Sequence, residues 1–132
     1  PGVTIIRATP VEDVFLALAG AFDSLSIPKA LLDPKSHVIG SEGFKIRQRL
    51  GKTPLSRFID CGQTQIGPNA DSYEVFMTIT SRVTAEGNGS KLATTVEASA
   101  RPLQFRQDYS RCSSKGTLEV RIAEVVKSKV GM

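Results

Sequence analysis

Residues able to carry covalent, metal or acid–base chemistry are sparse in this chain: two cysteines and one histidine in 132 residues. Cys61 and Cys112 stand 51 positions apart (112 − 61), no Cys-x-x-Cys spacing occurs, and His37 falls in a third stretch. Zinc bound at the usual Cys and His spacings is therefore not expected, and no cofactor is expected either. A catalytic thiolate needs its pKa lowered, and no helix start or histidine neighbour that would do so is evident for either cysteine. Two readings are left: unrelated small buried thiols or, if the chain is exported, a Cys61–Cys112 disulfide joining two long loops. The disulfide is the expectation, and in the chain-entropy description it would remove about 4 kcal/mol of unfolded-chain freedom.

His37 has no orienting partner visible in the sequence, so a solvated loop histidine is the plainer reading. Gly-x-Ser-x-Gly, His-Glu-x-x-His, Walker and dinucleotide fingerprints are all absent, and Gly87-Asn88-Gly89 reads as hairpin turn chemistry rather than a phosphate loop. The adjacent Glu12 and Asp13 sit where a helix start would already favour them. No constellation of catalytic type emerges, so the chain is not expected to be an enzyme; a hydrolase or isomerase assembled from the irregular loops is the third-ranked idea.

Charge is the more informative property. The formal net charge is +4, shared between residues 1 to 66 (eight minus six) and residues 67 to 132 (nine minus seven), so no tail is polarised. Locally, Lys45, Arg47, Arg49, Lys52 and Arg57 occur within residues 45 to 57 without one acid. Arg101, Arg106, Arg111 and Lys115, offset only by Asp108, would join them if the disulfide draws the two loops together. One basic surface would result, fit for an acidic protein partner or an anionic membrane surface; the plainer reading is a solvated strand face. Nucleic acid is not expected, because only Phe44 and Phe58 lie near and an RNP-type platform needs interleaved aromatics.

The elements that must position these residues follow from periodicity. Thr9-Pro10-Val11-Glu12 combines an N-cap Thr, Pro at the first helical position and Glu three residues after the cap. Val11, Val14, Phe15, Leu18, Phe22 and Leu25 then form one stripe of a helix ending near Ser24. Val3 to Arg7 reads as a strand, and Pro28 and Pro34 bracket a connection that cannot be regular helix. From Val38 strand character returns, and Phe44, Ile46, Gln48 and Leu50 alternate with Lys45, Arg47 and Arg49, which places three cations on one face. Residues 51 to 72 are dense in turn formers.

Tyr73 to Ala100 predicts a hairpin around Glu86-Gly87-Asn88-Gly89. Pairing residues whose numbers sum to 175 sets Val83 against Leu92, Ile79 against Val96, Met77 against Ala98 and Val75 against Ala100, with Glu74 against Arg101 on the other face. Residues 103 to 116 read as a second loop. Leu118, Ile122, Val125 and Val126 then take helical spacing, although the alternation of Leu118, Val120 and Ile122 also fits a strand start over residues 117 to 122. The whole predicts one domain over residues 1 to 132. Its class is α+β: a two-layer sandwich in β-α-β-β-β-α order, with an antiparallel sheet of about four to five strands and both helices on one face. No apolar run approaches the roughly 18 residues of a membrane-spanning helix.

The strand Val3 to Arg7, the capped helix entering Phe15 and Leu18, and the long Tyr73 to Ala100 hairpin resemble the helix-grip domains of bacterial envelope lipoproteins of the BamC type. Arg49-Leu50-Gly51, Cys61-Gly62 and Cys112-Ser113-Ser114 are similar to segments of uncharacterised exported bacterial proteins. These resemblances imply export to the periplasm or cell surface and no particular activity, and the opening Pro1-Gly2-Val3 without an initiator Met fits removal of a leader. The expected function is a non-catalytic exported protein-interaction module, a subunit of a larger envelope assembly with a protein partner or a second copy of itself. The alternative is a carrier holding a small apolar ligand between helix and sheet.

Overall fold

The computed structural model describes residues 2–104 and 107–131. In chain order the elements are β1 (Gly2–Ile6), α1 (Val11–Ser24), β2 (Leu31–Asp33), β3 (Val38–Gly40), β4 (Phe44–Arg47), β5 (Arg49–Leu50), β6 (Thr53–Pro54), β7 (Ile59–Asp60), β8 (Gln63–Thr64), β9 (Gly67–Pro68), β10 (Glu74–Glu86), β11 (Gly89–Arg101), β12 (Ser110–Ser114) and α2 (Thr117–Lys129). Short 3-10 turns lie at Leu55–Arg57 and Asn69–Asp71.

The hairpin β10–β11 is the spine. Its register is the one the apolar pattern requires, with Val75 opposite Ala100, Met77 opposite Ala98, Ile79 opposite Val96 and Val83 opposite Leu92. Val75, Met77 and Ile79 have no exposure at all, so a slip of one residue would replace them with Phe76, Thr78 and Thr80. Gly87 at φ +57 makes the two-residue turn affordable.

The other strands are hung on this spine. β3 and β4 pair with successive stretches of one edge of β10, and β1 and β12 with successive stretches of the far edge of β11. β2 and β7 extend the two flanks, giving an antiparallel sheet of eight strands among the described residues. The expected four to five strands undercount because two of the four full-length lanes are each shared by two short strands.

Both helices cover one face of the sheet and touch each other. α1 buries Val14, Phe15, Leu18, Ala21 and Phe22, and α2 buries Leu118, Ile122, Ala123 and Val126, against Ile39, Leu92 and Val75, Met77, Ile79 and Val83 of β10. This is a two-layer α+β sandwich with its core between helices and sheet. α1 is closed by Ser26 at φ +62, two residues past its end, with the Ile27 N–H donating to Phe22 O at 2.8 Å and the Ser26 N–H to Asp23 O at 3.1 Å, a Schellman closure that uses Ser where Gly is usual.

Three sequence expectations change. The N-cap of α1 is Pro10, not Thr9; the Thr9 hydroxyl instead donates to Arg7 O at 3.0 Å, and Ser90 Oγ donates to Thr9 O at 2.6 Å, so this connection is pinned to the hairpin end. The strand expected to run from Phe44 to Leu50 breaks at Gln48, which turns to φ +69 and leaves Arg49 in the separate β5–β6 hairpin. Within the expected loop 103–116, Ser110–Ser114 is strand β12, a polar segment whose pairing with β11 carries no sequence period of its own. Residues 117 to 122 are helical.

Candidate functional site

Cys61 and Cys112 are joined, with sulfurs 2.06 Å and Cα atoms 4.4 Å apart. Cys112 is held by β12, where it faces Ala98, and Cys61 follows β7, whose Asp60 and Ile59 pair with Ser113 and Ser114. The side chain of Asn69 donates to Cys61 O at 3.1 Å, while its own Oδ1 is buried without a protein partner. The disulfide thus staples the segment after β4 to the flank of the sheet.

The basic run does not stay together. Lys45 and Arg47 are exposed on the face of the sheet that the helices leave open, opposite Phe76 and Glu74 on β10. Arg49 and Lys52 sit in the β5–β6 hairpin, where Arg49 Nη1 donates to Lys52 O at 3.2 Å. Arg57 lies in the 3-10 turn before β7, and its carbonyl accepts from Thr117 Oγ1 of α2 at 2.6 Å. The sheet order sets β10, β11 and β12 between β4 and β7, four strand steps or roughly 19 Å. Of the second-loop cations, Arg101 comes beside Lys45 and Arg47, Arg111 pairs weakly with Glu97 at 3.8 Å, and Lys115 joins Arg57. Arg106 lies outside the described residues.

On the open face Glu74 is the hub. Tyr109 donates its hydroxyl to Glu74 Oε2, and Arg101 donates to the same oxygen from Nε at 3.0 Å and Nη2 at 2.9 Å. The Arg101 guanidinium lies 4.6 Å from the centre of the Tyr109 ring, which in turn meets Phe76 at 5.9 Å between centroids. The Tyr109 hydrogen bond foremost, and the Arg101 guanidinium with it, hold the Glu74 carboxyl below its ordinary value. The same hydrogen bond, with some desolvation, pushes the Tyr109 phenol up. Phe76 is 39% exposed and lies over Gly43, where an added Cβ would fall 2.1 Å from the ring. Clefts of about 590 Å³ beside Glu74 and Arg101 and about 360 Å³ beside Phe76, Tyr109 and Arg111 flank the cluster.

Sequence reasoning paired Glu74 with Arg101 correctly but missed Tyr109, which joins them only because β12 brings the end of the second loop back across the sheet. His37 also has a partner that its sequence context hides. Its Nε2 lies 2.6 Å from Glu12 Oε1, and its ring meets Phe15 edge-on at 5.3 Å. Among the described residues no three His, Cys, Asp or Glu side chains gather around a common metal position.

The space between helices and sheet is filled by Leu18, Phe22, Met77, Ile79 and Leu118, none with any exposure. No protein-family model, curated protein or solved structure matches the chain.

Proposed function

We propose that this domain is a non-catalytic protein-interaction module, and that its open sheet face docks an acidic segment of a partner protein. The observation that carries the reading is the arrangement around Glu74. Lys45 and Arg47 stand exposed beside the Arg101–Tyr109 stack and the half-open Phe76 ring, so cations and flat aromatic surface meet on rigid strands. Tyr, Phe and Arg are the residues that anchor interfaces, and Glu74 already satisfies Arg101, which leaves Lys45 and Arg47 for the partner's carboxylates. A disulfide between two chain segments is at home in an oxidising compartment, which supports an exported, periplasmic or cell-surface setting. The order of a strand, a long helix and a hairpin sheet closed by a second helix is read as helix-grip-like, and the filled interval between the layers favours docking over carriage of an apolar ligand.

The test is capture of partners from an envelope extract by the full oxidised chain at low and high salt. The variant Lys45→Glu with Arg47→Glu should lose capture while keeping a cooperative thermal transition, lowered somewhat by the new carboxylate opposite Glu74, and salt should weaken the wild type. Undiminished capture by the variant overturns the reading, and salt-sensitive binding to anionic vesicles in place of protein would reassign the face to a membrane.

A further inference from the structure

A second cleft, separate from the open face, lies where the start of α2 meets the 3-10 turn Leu55–Arg57. It is open to solvent and offers about 660 Å³, and Arg57, Lys115 and Arg121 line it against a single acid, Glu124. Its remaining walls include Phe58, almost sealed, and Val120, 58% exposed. The two sides are cross-tied: the Lys115 N–H donates to Phe58 O at 2.9 Å, Lys115 Nζ to Ser56 O at 2.5 Å and Thr117 Oγ1 to Arg57 O at 2.6 Å. The turn itself is rooted by the fully buried Leu55, and Ser56 donates from N–H and hydroxyl to the Asp71 carboxylate at 2.8 and 2.7 Å. Among the described residues Arg57 and Arg121 take part in no ion pair.

We propose that this cleft binds a small organic anion: a carboxylate or phosphate group carried on a compact apolar body. Arg57 and Arg121 hold the anionic group, since a guanidinium offers paired donors that match two anion oxygens. Lys115, already fixed on Ser56 O, contributes its field, and three cations against one acid leave the cleft positive. Phe58 and Val120 meet the apolar body. The volume falls within the roughly 300 to 1,000 Å³ of small-ligand sites, and the cross-ties fix the backbone of both walls from which the exposed Arg57 and Arg121 side chains extend.

Nuclear magnetic resonance titration of the full, oxidised, nitrogen-15-labelled chain tests this with four probes: phenyl phosphate, benzoate, inorganic phosphate and benzyl alcohol. Phenyl phosphate and benzoate should shift the amides of Arg57, Phe58, Lys115, Gly116 and Thr117 saturably. Inorganic phosphate should shift the same amides at weaker affinity, and benzyl alcohol should leave them still. Arg57→Gln and Arg121→Gln, each with an otherwise unchanged spectrum, should weaken phenyl phosphate about tenfold or more. The Lys45→Glu, Arg47→Glu variant should bind it as the wild type does, which separates this site from the docking face. Absence of saturation, equal response to benzyl alcohol or undiminished binding by both Arg variants overturns the site, and equal affinity for inorganic phosphate overturns the part given to the apolar body.

Discussion

The hydroxyls of Ser81 and Thr94 lie 2.7 Å apart on the helix-facing side of the hairpin, and both residues are almost fully buried, at 1% and 2% exposure. They are a cross-strand pair between the apolar pairs Ile79–Val96 and Val83–Leu92. Each hydroxyl is therefore satisfied by the other in a place where water does not reach.

Ser81→Ala should cost about 1 to 3 kcal/mol, because Thr94 is then left with an unpaired buried hydroxyl. Adding Thr94→Val removes the orphan, so the double variant should be at least as stable as Ser81→Ala alone. Urea titration of the two singles and the double checks this. Additive losses would mean that the hydroxyls contribute separately.

Glu74 and Tyr109 make stability fall at both ends of the pH scale. The carboxyl is depressed on folding, so its contribution is present above the unfolded value of about 4.3 and fades as pH drops through the folded one. The phenol is raised on folding, so its contribution is present below about 10 and is lost as pH climbs through the folded value. Tyr109→Phe should flatten both limbs of the melting temperature plotted against pH. In the wild type, ultraviolet absorbance should show Tyr109 ionising above its ordinary range.

Opening the Cys61–Cys112 bond should lower stability by roughly 2 to 4 kcal/mol without removing the spine. A Cys61→Ser, Cys112→Ser variant compared with wild type in urea gives the magnitude, and amide exchange gives the location. Ser113 and Ser114, which pair with Asp60 and Ile59, should lose protection, while Ile79 and Val96 keep theirs.

What the sequence made legible was whatever repeats along the chain. The apolar stripe from Val14 to Phe22 and the pairing of Ile79 with Val96 repeat with the periods of helix and strand, and both stand as read. Ser110 to Ser114 does not repeat: Cys112 is its one apolar residue, and β11 together with the disulfide makes it a strand. Gln48 looks like the next position on the Phe44–Ile46 side of β4, yet its left-handed backbone ends the strand. Arg57 is near Lys52 in sequence, but the sheet order carries it to another side of the molecule, where α2 completes its surroundings. Tyr109 reaches Glu74 across 35 positions by the same kind of placement, which no local pattern encodes.

The hanging of β1, β3, β4 and β12 on the two long strands has a kinetic consequence. β3 and β4 hang on β10 and β1 and β12 on β11, and those two long strands are joined by a turn of only Gly87 and Asn88. β1 must then return to residues 90 to 94 from the far end of the chain, closing a loop whose entropy grows only slowly with length but must be met before any of its contacts form. The hairpin, the most local of these pairings, is therefore expected in the rate-limiting nucleus and β1 in the steps after it. In stopped-flow measurements Gly87→Val should therefore slow refolding, whereas Ile6→Val, in β1, should chiefly hasten unfolding.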